Sequence, residues 1–133
     1  MNRKCDVIQI RLPQKADYMG FIRLSVSGIA SKMGFDIDTI EDIKVAVSEV
    51  CNRIISLCCG TGEADYDISF QLFESGFKAE FRADCRPDTD LFEGESGEFA
   101  RAIISTLMDE FEIAYDQGCV ITMGKKLGDC VNG

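Results

Sequence analysis

Ile40, Ile43, Val47, Val50, Ile54 and Leu57 stand three or four residues apart, with Glu41, Asp42, Lys44, Ser48, Glu49, Asn52 and Arg53 between them. Apolar residues at that spacing line one stripe of an α-helix. Eighteen helical residues span about 27 Å. A stripe of that length needs a second layer of structure to cover it. The polar positions raise a separate question, because Glu49, Asn52 and Arg53 lie on or near one polar edge of the same helix.

The second layer is written in period two. "DVIQIRLP" (6–13) alternates and ends at a proline, as a strand does. "YDISFQLFES" (66–75) and "FKAEFRAD" (77–84) alternate on either side of Gly76 and predict an antiparallel hairpin. "IAYDQG" and "CVITMGKKL" predict another around Gly118. Two further helices accompany the central one. The first carries Tyr18, Phe21, Ile22, Ser25, Ile29 and Met33 and breaks at Gly34. The third is "FARAIISTLMDEFEI" (99–113), with Phe99, Ala102, Ile103, Leu107 and Phe111 as its stripe. Asp38 or Thr39 is the expected cap of the central helix, with Glu41 or Asp42 favouring its first turn. "CRPDTDLFEGESGE" (85–98) reads as a polar, irregular link. The expected fold is an α/β (α+β) two-layer sandwich. Its sheet is mixed and mostly antiparallel, covered on one face by about three helices, in a single domain over 1–133. No parallel crossover series supports a Rossmann site, and no internal repeat is present.

Composition excludes several functions. The net charge of −9 disfavours nonspecific nucleic-acid binding, which needs Lys and Arg on phosphates, and disfavours an anionic membrane as partner. The chain has no histidine, which removes Ser–His–Asp chemistry, histidine-ligated zinc and a histidine general base. Seven cysteines without a C-x-x-C do not make a disulfide framework. Cys51, Cys58 and Cys59 lie in the helical pattern and read as small buried hydrophobes in a reducing compartment. Cys85, in "DCRPD", is the candidate for a reactive thiolate. No signal peptide or membrane-length apolar run is apparent, so the expected location is the cytoplasm.

Three segments taken together, "IEDIKVAVSEVCNRII", "FRADCRPDTD" and "ISTLMDEFEI…GCVITMGKKL", resemble the anti-sigma regulatory serine kinases. That family belongs to the ATPase fold of histidine kinases and gyrase B. The resemblance runs from Val7 to about Leu127 and implies the histidine-kinase-like ATPase fold. It also implies a set of site residues. Glu49 matches the family's catalytic Glu, which acts as base or orients water. The magnesium-holding Asn falls four residues later, where this chain has Arg53; Asn52 sits one residue early. Arg53 is a permanent cation and cannot ligate magnesium. It is left to neutralise phosphate or to pair with Glu49 at i,i+4. Asn52, at about 100° per residue, points elsewhere unless it rotates into service as a displaced ligand.

Asp84 matches the Asp that accepts from the adenine amino group, with Arg86 and Asp88 in the following glycine positions. The plainer reading makes Asp84 and Asp88 turn-forming surface acids. In the phosphate lid, Glu98 and Ala100 replace the glycines of G-x-G-L, Arg101 takes the leucine position, and Gly97 matches a further glycine just before the lid. Arg101 either supplies positive charge to phosphates or is a solvated helix residue. Gly118 matches a late glycine near the nucleotide pocket, and a hairpin turn wants glycine there too.

The resemblance implies ATP and magnesium as cofactors of an intact site. Its implied partners are a sigma factor and/or a small anti-sigma antagonist protein. The apolar faces of "YMGFIRLSVSG" offer, with the first strand, a contact surface that also suits a homodimer, while core packing accounts for the same residues. The substitutions point to a regulator that binds protein partners, with ATP binding weakened or lost and no metal ligand assigned. The alternative is an active ATP-dependent serine kinase acting on the antagonist.

Overall fold

The computed structural model describes residues 4–57, 64–84, 90–115 and 118–128. Strand β1 (Lys4–Pro13) leads through a short 3-10 turn (Ala16–Tyr18) into α1 (Met19–Met33) and α2 (Ile37–Leu57). The hairpin β2 (Asp65–Phe73) and β3 (Gly76–Ala83) follows, then α3 (Gly94–Leu107), β4 (Glu110–Tyr115) and β5 (Cys119–Lys126). The five strands form one sheet in the order β1-β2-β3-β5-β4, and every neighbouring pair is antiparallel. The expected two-layer sandwich is therefore present, with a sheet antiparallel throughout rather than mixed.

Alternation decides which face is covered. Tyr66, Ile68, Phe70 and Leu72 of β2 are buried, as are Phe77, Ala79, Phe81 and Ala83 of β3 and Cys119, Ile121 and Met123 of β5. These residues share one face by the period of two. The helices cover it, and α2 lies in the middle, touching α1 on one side and α3 on the other. Ile43, Ala46, Val47, Val50, Cys51 and Ile54 of α2 are buried. Leu57, expected in that stripe, is exposed at the helix end. The opposite sheet face is polar. Arg11 forks onto Asp67 directly across the strand pair at 2.8 and 3.1 Å, and Arg82 pairs with Glu80 at 2.6 Å.

Three local expectations are corrected. The cap of α2 is Asp36, not Asp38 or Thr39: Asp36 Oδ1 accepts the Thr39 N–H at 2.8 Å. Gly34 ends α1 in the left-handed conformation, so the chain turns at once and α2 begins at Ile37. The stripe of α3 is also in a different phase. Gly97, Ala100 and Ile104 face the core, whereas Phe99 is 70% exposed. Finally, α3 ends at Leu107, and Phe111 belongs to β4, where it alternates with Ile113 and Tyr115 on the helix-side face. Of the cysteines, Cys51 is buried, and burial pushes its thiol up to about 11, so it packs as a protonated small hydrophobe. Cys58, Cys59 and Cys85 lie outside the described residues.

The cap carries a pH signature. Bonding to Thr39 holds the Asp36 carboxyl below its ordinary range. A depressed carboxyl stabilises the fold above its unfolded pKa, and that contribution is lost as pH falls through the folded value. Asp36→Asn keeps a capping oxygen but does not titrate. Urea unfolding of the two proteins is expected to show a smaller loss of stability between pH 7 and pH 3 for the variant.

Candidate functional site

Helix phase sets the candidate site. With Val50 and Ile54 turned into the core, Glu49 and Arg53 sit about 100° to one side of them. Both are half-buried, while Asn52 is exposed. Arg53 does not pair with Glu49. Its Nε donates to the carbonyl of Leu91 at 2.8 Å, and its Nη1 donates to Ser96 Oγ at 3.3 Å. The guanidinium therefore ties the middle of α2 to the segment that enters α3. An Asn at this place has a carbonyl oxygen to offer a metal ion; Arg53 offers five donors and no acceptor. The residues present thus do not fit the magnesium-holding arrangement that the resemblance implies.

The segment that Arg53 reaches is held from the other side as well. Tyr115 of β4 accepts the Leu91 N–H at 3.0 Å and donates to Asp90 Oδ1 at 3.2 Å. The same oxygen accepts the Phe92 N–H at 3.0 Å, closing an Asx turn. Burial first, and then the neighbouring Asp90 carboxylate, raise the Tyr115 phenol above its usual pKa, so it stays protonated and able to donate throughout the neutral range. Leu91 and Phe92 are buried, and the Phe92 ring meets Phe111 edge-on at 5.4 Å.

The lid positions are helical. Glu98 and Ala100 lie inside α3, where amides from Glu98 onward point to carbonyls four residues back. Those amides are not free to converge on a phosphate. Glu93, Glu95 and Glu98 are all exposed around the helix start. Gly97 explains itself by close approach: a Cβ there would lie 2.3 Å from the Phe92 carbonyl carbon. Arg101 turns toward β4, its Cζ 5.2 Å from the centre of the Phe111 ring, a cation–π contact.

Asp84 and Gly118 are brought together at the far end of β3. Gly118 has φ +121°, and a Cβ on it would lie 2.6 Å from the Ala83 carbonyl oxygen. Glycine is required there by conformation and by space. Asp84 is exposed and lines a surface cleft of about 400 Å³ with Arg11, Asp65, Asp67, Arg82, Ala83, Cys119 and Val120. No residue of α2 or α3 lines that cleft. The structure thus groups Arg53 with the start of α3 and groups Asp84 with Gly118. Arg86 and Asp88 lie outside the described residues.

Sequence reasoning missed Asp90, Leu91, Ser96 and Tyr115. The available signal was "DLF", an Asx-turn start followed by two large apolar residues inside an otherwise polar link.

Residues 12–125 match the histidine kinase-like ATPase domain family. The serine-protein kinase RsbW of Halalkalibacterium halodurans is 34% identical over 140 residues, covering 92% of this chain and 84% of that protein. The RsbW of Bacillus licheniformis is 33% identical over 146 residues, covering 96% and 89%. A crystal structure of the RsbU and RsbW domains of a Mycobacterium tuberculosis protein shares the fold with a TM-score of 0.72 at 18% identity. That alignment takes in 92% of this chain and 33% of the larger one.

Two substitutions probe the tie between α2 and α3. Arg53→Met leaves the buried Leu91 carbonyl without its donor, an expected loss of about 1–3 kcal/mol. Gly97→Ala forces the Phe92 backbone away and is expected to cost about 1–3 kcal/mol as an overpacked contact. Urea denaturation midpoints at constant m-value measure both.

Proposed function

The chain belongs to the histidine kinase-like ATPase family, with the serine-protein kinases RsbW among its relatives, and from that membership we propose that it is an anti-sigma-like regulator. It acts by binding a sigma factor and/or an antagonist protein, with ATP binding weakened or lost. The observation that carries this reading is the Arg53–Leu91 bond: a cation occupies the magnesium-ligand position and is already engaged with backbone. Phosphoryl transfer depends on magnesium and on positive groups positioned around the phosphates. Here Arg53 is turned to Leu91, Arg101 is turned to Phe111, and three glutamates surround the start of α3. Glu49, Asp84, Gly97 and Gly118 keep the residue types that the resemblance implies, whereas Arg53, Glu98 and Ala100 do not.

Protein binding needs none of that chemistry. On this reading β1 and α1 form the contact surface, used also in a homodimer. β1 is an edge strand with Val7 and Ile8 partly exposed. On α1, Phe21 and Leu24 stand in solvent, and Tyr18 stacks on Phe21 at 6.1 Å. Exposed apolar residues on a helix and on an edge strand support a protein partner. No helix of the described residues is long and apolar enough to cross a membrane, in keeping with a proposed cytoplasmic location.

Calorimetry with and without magnesium tests the reading. No heat of binding is expected at millimolar ATP; sub-millimolar affinity overturns it in favour of an active serine kinase. A triple variant, Arg53→Asn with Glu98→Gly and Ala100→Gly, is expected to gain affinity for ATP. Its helix content is checked by circular dichroism, because each glycine costs about 1 kcal/mol in a helix interior.

A further inference from the structure

Leu91 has both of its backbone polar groups bound by side chains from different elements. Its N–H goes to Tyr115 of β4 and its carbonyl to Arg53 of α2. Its own side chain is fully buried. On one flank, Asp90 is fixed by the same phenol, and on the other, Phe92 lies against Phe111 and against the gap left by Gly97. Ser96 closes the series through Arg53. Residues 90–93 and the first turn of α3, through Ser96, are thus a strap fastened to α2 and β4 at once.

We propose that this strap is locked by the protein's own side chains, so that the surface beside it is set without nucleotide and does not switch on ATP. The inference rests on the reading above, in which partner binding is the function and ATP binding is weakened or lost. Its physical basis is linkage. Ordering a free segment costs conformational entropy, and a ligand that supplies the ordering contacts can drive a conformational change by doing so. A ligand shifts an equilibrium only by its differential affinity for the two states. Where Tyr115 and Arg53 already hold the segment, nucleotide has no ordering left to contribute. Partner binding then does not wait on it.

Tyr115 is the residue to change, since it is 44% exposed on an edge strand and Phe keeps its ring. Hydrogen exchange of the full chain, read at individual amides, is the measurement. The Leu91 amide is expected to be protected in the wild type and unchanged by magnesium and ATP at millimolar concentration. Tyr115→Phe removes its acceptor and is expected to lower that protection about tenfold, with α2 and β5 unaffected. Arg53→Met does not touch the Leu91 N–H, yet is expected to lower protection at the same amide if the two ties act as one lock. An unprotected Leu91 amide in the wild type, or variants that leave it unmoved, overturns the lock. Protection across 90–96 that rises only with magnesium and ATP also overturns it. Calorimetry on the same samples separates the two readings. ATP that binds without moving Leu91 defeats the reading of lost nucleotide binding and leaves the lock standing. An unprotected Leu91 in a protein that binds no ATP defeats the lock alone.

Discussion

One-sided burial governs this molecule. Among the described residues, a five-stranded antiparallel sheet has two faces and three α-helices to cover them, so one face becomes the core and the other stays in water. The central helix α2 bears the consequence. Six of its residues are buried, and they fix its rotation about its own axis. Once Val50 and Ile54 face the core, Arg53 is aimed at the segment that enters α3, Glu49 is left half-buried and Asn52 stands in solvent. A one-residue change in phase would move Arg53 out of reach of Leu91. The polar chemistry along this edge is therefore set by apolar packing on the other side of the helix.

The Arg53 contact shows how a position can change chemistry without disturbing the fold. The side chain sits at a helix edge where it meets a segment rather than a core, so exchanging an acceptor for a donor is tolerated if a carbonyl is there to receive it. The Leu91 carbonyl is. A hydrogen bond between a charged donor and a carbonyl contributes about 1.5–3 kcal/mol, and the orphaned carbonyl costs about as much when the donor is removed. The interaction joins parts of the chain 38 residues apart, so it acts on tertiary order rather than on helix stability alone.

The sequence disclosed the elements whose periodicity is strong and local. The α2 stripe, the β2–β3 hairpin and the final strand pair follow from spacing. Misreadings arose where a long-range contact overrides a local pattern. The apolar positions of α3 offer two stripes, Phe99–Ile103–Leu107 and Gly97–Ala100–Ile104. The fit of Gly97 against Phe92 selects the second, leaving Phe99 in solvent. Asp36 caps α2 in place of Asp38 or Thr39 because the left-handed turn at Gly34 starts the helix earlier than its apolar pattern does. The polar edge at Glu49 and Arg53 was legible from helix phase. It was not legible as contacts, because Leu91, Ser96 and Tyr115 are distant in sequence and belong to no shared motif.

The departures at the site depend on one another. Arg53 needs the Leu91 carbonyl within reach, and that carbonyl lies where it does because Gly97 admits the Phe92 backbone beside it. Residues other than glycine at 98 and 100 favour helix, so α3 runs unbroken from Gly94 and carries Ser96 to the guanidinium. On the correspondence that the resemblance implies, Gly97 keeps its glycine while positions 98 and 100 do not, and the close approach to Phe92 makes Gly97 a packing requirement. Drift in an unused pocket would leave unconnected substitutions. Here the cation, the retained glycine, the continuous helix and the hydroxyl of Ser96 meet in one set of contacts around Leu91.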